Sequence, residues 1–169
     1  MNPLAYLSLG SNLGDRAAHL RQAIARLATL GQISAVSSFY ETEPVEVTSQ
    51  PWFLNCAVAL HTDLAPEALL DAALAIEQSM GRRRTQFKGP RIIDIDILLM
   101  GETVLRSGRL TLPHPALHER RFVLEPLAEI APALPHPILN LTVRDLLNRL
   151  PDGQTVRKLD LPVAPDIKP

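Results

Sequence analysis

Cysteine is almost absent from this sequence. Cys56 is the single one in 169 residues, which excludes an intramolecular disulfide and a thiolate metal site and fits a reducing compartment. Aromatic residues make up only 4%, so each Phe is worth following individually. Neither sign of charge dominates. A formal net charge of -1 excludes the whole-molecule basic field that gathers nucleic acid or anionic membrane. No apolar run is long enough to span a bilayer, and Met1-Asn2-Pro3-Leu4 lacks the basic start of a signal peptide. The expectation is a cytoplasmic protein. Gly10-Ser11-Asn12-Leu13-Gly14 is not followed by Lys-Ser/Thr, so it is no P-loop and reads as a strand-to-helix turn.

Hydrophobic residues make up 46% of the chain, ample for one compact domain with a sizeable core. Residues 1–150 are expected to form that domain. Residues 151–169, with Pro162, Pro165 and Pro169, read as a Pro-rich tail that either packs on the domain or is loose. Along the chain, Ala5–Leu9 reads as a first strand. A helix follows with Leu20, Ile24 and Leu27 on one face, ending near Gly31. Ile33–Thr42 reads as a second strand. In Phe53–Thr62, Leu54, Cys56, Val58 and Leu60 face one way and Phe53, Asn55, Ala57 and Ala59 the other. Pro66 opens a second helix that stops at Gly81. Arg91–Met100 reads as another strand, and Arg109–Leu112 as a short one. Short helical pieces follow Pro115 and cover Val123–Ile130, and Thr142-Val143-Arg144-Asp145 resembles a capping box opening a last helix. The order predicts an α+β fold: a ferredoxin-like βαββαβ core with an antiparallel sheet, helices on one face, the other face open to ligands, and extra C-terminal helices.

The strongest local pattern is Ile92-Ile93-Asp94-Ile95-Asp96-Ile97-Leu98-Leu99-Met100. Strand alternation puts Asp94 and Asp96 on one face and Ile93, Ile95, Ile97 and Leu99 on the other. Two adjacent carboxylates repel unless a cation or hydrogen bonds compensate, and Mg²⁺ takes one or two carboxylates together with substrate phosphates. On the pattern alone, a metal site and a solvated acidic pair both remain open. Nine of the 17 basic residues lie between Arg82 and Arg121, and guanidinium forks match phosphate oxygens. An acidic pair in an Arg-rich segment suits a metal–nucleotide complex; for Arg83, Arg106 and Arg121 singly, a solvated basic loop is preferred. Glu77 falls inside the apolar stripe Leu69, Leu70, Ala73, Ile76 and Met80, so it is expected either in a Glu–Arg pair or at a ligand. Phe53 beside Asn55 suits a flat polar heterocycle, one side chain stacking and the other supplying donor and acceptor. His114, between two prolines, either donates to a phosphate or caps a turn.

Several runs together resemble the 6-hydroxymethyl-7,8-dihydropterin pyrophosphokinase family: Leu7-Ser8-Leu9-Gly10-Ser11-Asn12-Leu13-Gly14-Asp15-Arg16, Ser38-Phe39-Tyr40-Glu41-Thr42, Gln50-Pro51-Trp52-Phe53-Leu54-Asn55, Gly89-Pro90-Arg91-Ile92-Ile93-Asp94-Ile95-Asp96-Ile97-Leu98 and Leu112-Pro113-His114-Pro115, extended by Arg120, Phe122 and Pro126-Leu127. The resemblance covers roughly residues 4 to 137. It implies transfer of pyrophosphate from ATP, the co-substrate, to the pterin hydroxymethyl group in folate biosynthesis. Asp94 and Asp96 would hold two Mg²⁺ ions. Arg82, Arg84, Arg91, Arg109, Thr111, His114 and Arg120 would contact ATP, with Arg82 and Arg91 also catalytic and Glu77 and Ile97 lining the nucleotide site. Phe53 and Phe122 would sandwich the pterin, and Asn55, Thr42 and the backbone near Val45 would read its edge. Thr85-Gln86-Phe87-Lys88 lacks the tryptophan often found before Gly-Pro-Arg, so neither Phe87 nor Lys88 is given a role. The polar loops 43–51 and 82–90 are expected to close over substrate. No nucleic-acid or membrane partner is expected, and the chain is expected to be a monomer. The rivals are another nucleotide transferase on the same scaffold, a non-enzymatic RNA-binding or regulatory module, and a pterin-binding paralogue without catalysis.

Overall fold

Strands with clean apolar alternation form the centre of the molecule. The computed structural model describes residues 4–43, 51–81 and 91–163. β1 (Leu4–Ser11) lies antiparallel between β4 (Phe53–His61) and β5 (Asp94–Met100). β1 runs further than expected, carrying Gly10 and Ser11 inside the sheet rather than in the turn. The expected strand Ile33–Thr42 is two strands, β2 (Gln32–Val36) and β3 (Tyr40–Thr42), which pair with opposite halves of β4. Ser37 breaks them apart: its Oγ accepts the Ala57 N–H at 2.8 Å, where a regular ladder would place a backbone carbonyl. The expected tail contributes β8 (Val156–Lys158), antiparallel to β3, so the sheet order is β5-β1-β4-β3-β8 with β2 beside β4.

Two helices cover one face. α1 (Arg16–Leu27) is capped by the Asp15 carboxylate, which accepts the Ala18 N–H, and buries Leu20, Ala23, Ile24 and Leu27. α2 (Pro66–Ser79) starts with Pro at its first turn and buries Leu69, Ala73 and Ile76. Both pack on Leu7, Leu9, Leu54, Cys56, Val58, Leu60, Ile95 and Ile97. Full burial of one such aliphatic side chain contributes roughly 1.5–3 kcal/mol.

The opposite face departs from the expectation of a free surface. α3 (Arg121–Ile130) and α4 (Val143–Arg149) cover half of it, packing on Tyr6, Ala57, Ala59, Leu98 and Leu99. α4 opens with the expected capping box, in which the Thr142 and Asp145 side chains each accept the other's backbone N–H. A bulge in β5 makes this second core possible. Tyr6 faces Leu99 and Leu7 faces Ile97, so Leu98 is an extra residue. Alternation reverses there: Leu99, expected beside Ile97, packs under α3 and α4, and Met100 takes the α1/α2 side. Among the described residues, the other half of the face, over Ser8 and Gly10, stays open. Beyond β5 lies a hairpin of β6 (Leu105–Arg106) and β7 (Thr111–Leu112), then a single 3-10 turn at Leu117–Glu119. Among the described residues, no helix is long and apolar enough to cross a membrane.

Candidate active site

The open half of the sheet is the floor of a cavity of about 650 Å³. Register decides what this floor presents. Gly10 lies between Asp94 on β5 and Asn55 on β4, and Ser8 lies between Asp96 and Ala57. Two strand spacings separate Asp94 from Asn55, roughly 10 Å. A side chain at position 10 would not fit this arrangement: a Cβ on Gly10 would sit 2.6 Å from Asn55 Nδ2 and 3.4 Å from Phe53 Cδ1. Glycine there lets the Asn55 amide lie across the floor. That amide is buried and fixed, with Oδ1 accepting from Thr42 Oγ1 at 2.6 Å and Nδ2 donating to Leu9 O at 3.4 Å.

The walls come from four elements. β4 contributes Phe53, β3 and the residue after it Thr42 and Glu43, and the start of α3 Arg120, Arg121 and Phe122. The Arg120 guanidinium carbon stands 5.6 Å from the Phe122 ring centroid, a cation–π distance. The last wall is Leu150 to Gln154, from the segment after α4. At the Asp end, Arg91 Nη1 donates to Asp94 Oδ2 at 3.1 Å. The Arg91 backbone is bracketed by Asn12, whose Oδ1 accepts the Arg91 N–H at 2.7 Å and whose N–H donates to Arg91 O at 3.0 Å. Asn12 Nδ2 also donates to Pro51 O at 3.2 Å, so one side chain ties the chain entering β5 to the chain entering β4.

A second group of expected residues lies along the outer edge of β5. Glu77 is buried on α2, and its Oε2 accepts the Ile95 N–H at 2.7 Å. The apolar stripe thus hides a carboxylate because an edge-strand N–H needs an acceptor. That backbone N–H is one described donor to Glu77, and the arginines at 82–84 lie outside the described residues. Ile97 packs into the α1/α2 core. The chain after β7 follows the same edge, His114 N donating to Leu98 O at 2.9 Å. His114 Nδ1 accepts the Ala116 N–H at 3.1 Å, which puts the ring proton on Nε2. Burial, reinforced by Arg120 and opposed by Asp94, lowers the His114 pKa to about 4. The two readings of His114 are therefore compatible, since a neutral ring caps the turn and still offers a donor. Arg109 is an exposed partner of Asp71 on α2.

The cavity brings together Thr42, Phe53, Asn55, Arg91, Asp94, Asp96, Arg120 and Phe122. Glu77, Ile97, Arg109, Thr111 and His114 are not among its lining residues. Val45, Arg82, Arg84 and the loops expected to close, apart from Glu43 and Pro51, lie outside the described residues. Ser8, Gly10, Glu43, Glu119 and the Leu150–Gln154 wall were not read from sequence as site residues, and for Arg121 a solvated role was preferred. A glycine near the end of an apolar-alternating strand, at position 10 between Leu9 and Ser11, was the one available signal. Asp94 and Asp96 give hard oxygens on one face beside an arginine, a donor set that fits Mg²⁺ with phosphate oxygens completing its shell. Among the described residues no three or more His, Cys, Asp or Glu side chains converge, so these residues alone form no cage.

Known proteins resemble this chain over most of its length. The sequence model of the family described as 7,8-dihydro-6-hydroxymethylpterin-pyrophosphokinase matches residues 6–132. The 2-amino-4-hydroxy-6-hydroxymethyldihydropteridine pyrophosphokinase of Methylorubrum extorquens is 49% identical over 152 residues, covering 88% of this chain and 95% of that protein. A folic acid synthesis protein of Schizosaccharomyces pombe is 44% identical over 89% of this chain, which spans only 21% of its length. The wild-type HPPK-DHPS of Plasmodium falciparum with pteroate superposes with a TM-score of 0.71 at 20% identity, over 88% of this chain and 42% of that one, and this likeness shows the fold alone.

Proposed function

Because the chain belongs to the 7,8-dihydro-6-hydroxymethylpterin-pyrophosphokinase family, we propose that it transfers a pyrophosphoryl group from ATP to the hydroxymethyl oxygen of 6-hydroxymethyl-7,8-dihydropterin, giving the pterin diphosphate and AMP in folate biosynthesis. The observation that carries this reading is the floor: a bare glycine with a fixed amide on one side and two carboxylates on the other. A flat bicycle laid over Gly10 has its polar edge at Asn55 and its substituent toward Asp94 and Asp96.

In this reading Phe53 and Phe122 stack on the two faces of the pterin, while Asn55, Thr42 and the backbone near Val45 hydrogen-bond its edge. The Thr42 hydroxyl occupies Asn55 Oδ1, so the amide is oriented before substrate arrives. Asp94 and Asp96 would hold Mg²⁺, two ions in this reading, which when bound neutralises triphosphate charge. Arg82, Arg84, Arg91, Arg109, Thr111, His114 and Arg120 contact the nucleotide, whose base and sugar run along the β5 edge past Glu77 and Ile97. The hydroxymethyl oxygen bonds to the β-phosphorus, the bond from that phosphorus to the oxygen bridging the α-phosphate breaks, and AMP leaves with the bridging oxygen. Asp96 orients the hydroxyl and takes its proton. Such transfers depend on positioning and charge more than on covalent chemistry. His114, neutral at physiological pH, donates its Nε2 proton without adding charge.

The same reading takes the protein as cytoplasmic and monomeric, with residues 1–150 as the catalytic domain. Incubation with ATP, Mg²⁺ and 6-hydroxymethyl-7,8-dihydropterin is expected to yield AMP and a pterin diphosphate. ADP as the nucleotide product, or no pterin-dependent turnover, would overturn the reading. Asp96→Asn with unchanged rate and metal affinity would remove only the role given to Asp96.

A further inference from the structure

The geometry points to the segment Leu150–Lys158 as a strap that completes the pterin pocket, with Gln154 and Thr155 as positioning residues that hold Thr42 in place. The inference rests on the pterin reading of the cavity. The segment holds three successive residues at the end of β3. Arg157 pairs with Glu41, Val156 lies opposite Thr42 in the ladder, and Gln154 and Thr155 both bond Glu43. At Glu43 the contacts converge: Gln154 Nε2 donates to its carbonyl at 2.7 Å, Thr155 N to its Oε1 at 2.8 Å, and its own N–H to Thr155 O at 3.2 Å.

The strap is anchored at both ends and polar in between. At one end Arg121, next to Phe122, donates to Pro151 O at 3.2 Å and Leu150 O at 3.4 Å. At the other, Leu159 packs against the α1/α2 core and donates its N–H to Phe39 O at 2.8 Å. Pro151, Asp152 and Gly153 are exposed, yet they line the cavity between these anchors. The stretch buries little apolar surface, so core packing does not explain its course.

Its effect on the site follows from strand geometry. β3 has three residues and without β8 it would be a short edge strand with Thr42 at its end, where backbone frays most readily. Thr42 gives Asn55 its only described hydroxyl partner at 2.6 Å. A strap bonded on both sides of Thr42 keeps that hydroxyl aimed at Asn55 and joins the Thr42 wall to the Phe122 wall. Shape selection for a flat heterocycle then depends on a segment outside the βαββαβ core.

The test compares wild type with Gln154→Ala and Gln154→Glu, leaving β8 intact. Pterin and ATP dependences are measured separately, and thermal stability alongside. Gln154→Ala is expected to raise the pterin KM about tenfold, the loss of one well-placed hydrogen bond. Gln154→Glu, which places a carboxylate against the Glu43 carbonyl, should raise it more. The ATP KM, kcat at saturating pterin and melting temperature should stay near wild type. In a double-mutant cycle on pterin affinity with Thr42→Val, measured with Mg²⁺ and a non-hydrolysable ATP analogue, the two changes should be less than additive. An unchanged pterin KM, or pterin and ATP KM rising together as stability falls, would overturn the inference. If wild type itself bound no pterin, the functional reading would fail first.

Discussion

The two faces of the central sheet are built from the same strands and do opposite things. On β1, Ala5, Leu7 and Leu9 are fully buried against α1 and α2, while Ser8 and Gly10 look into the cavity. On β4, Leu54 and Cys56 face the helices and Phe53 and Asn55 the cavity. On β5, Ile95 and Ile97 alternate with Asp94 and Asp96. One face is packed with buried aliphatic side chains. The other is emptied at its centre, by a glycine and a serine, so that carboxylates and an amide can stand around a gap. A packed face secures the strands, and only a secured strand can hold Asp94 and Asn55 at a set separation.

Substitutions on the two faces should therefore separate activity from stability. The largest effect belongs to Asp94→Ala, expected to lower turnover about a thousandfold, roughly 4 kcal/mol, with little change in melting temperature. Retained activity would remove Asp94 from the chemistry. Leu7→Ala, one residue from Ser8 but on the packed face, should cost about 3 kcal/mol of stability and leave activity per folded molecule intact. Urea denaturation alongside assays on the folded fraction checks both halves of that statement. Gly10→Ala crosses the comparison, since it adds bulk to the emptied face. It should push the Asn55 amide aside and raise the pterin KM about tenfold with the ATP KM unchanged; a matched rise in both would mean that the strand, not the amide, had moved.

The last effect is a pH dependence of stability rather than of activity. His114 is held neutral, its pKa lowered to about 4 by burial, with Arg120 acting in the same direction. The unfolded chain binds that proton near the ordinary histidine pKa of about 6.5. The contribution of the neutral ring is complete above that pH and is lost as pH falls toward 4. His136, buried beside His118, is shifted in the same direction and caps its own turn by accepting the Ile138 and Leu139 N–H groups. His114→Asn should lose less stability than wild type between pH 6.5 and 4. Parallel curves would show that the ring is charged in the folded protein.

Much of this arrangement is legible in the sequence. The period-two pattern places Asp94 with Asp96 and Phe53 with Asn55, the capping box at Thr142 forms as read, and the two helices over one face follow from their apolar stripes. Three features were not legible. The break at Ser37 depends on a hydroxyl standing in for a ladder carbonyl, which no propensity predicts. The β5 bulge, which sends Leu99 to the second core, is a register property of two strands together. Glu77 inside an apolar stripe signalled a partner but not that the backbone N–H of Ile95, on another element, would be one.

Sequence alone determined the α+β architecture, the family and the facing of the acidic pair, because alternation and motif order are local and survive without knowledge of the partners. Tertiary structure decided the rest. It closed half of the expected open face with α3 and α4, set Gly10 between Asp94 and Asn55, and laid the tail across the pocket beside Thr42. Each of these depends on register and on contacts between residues far apart in the chain, where a shift of one position would exchange the packed face for the emptied one.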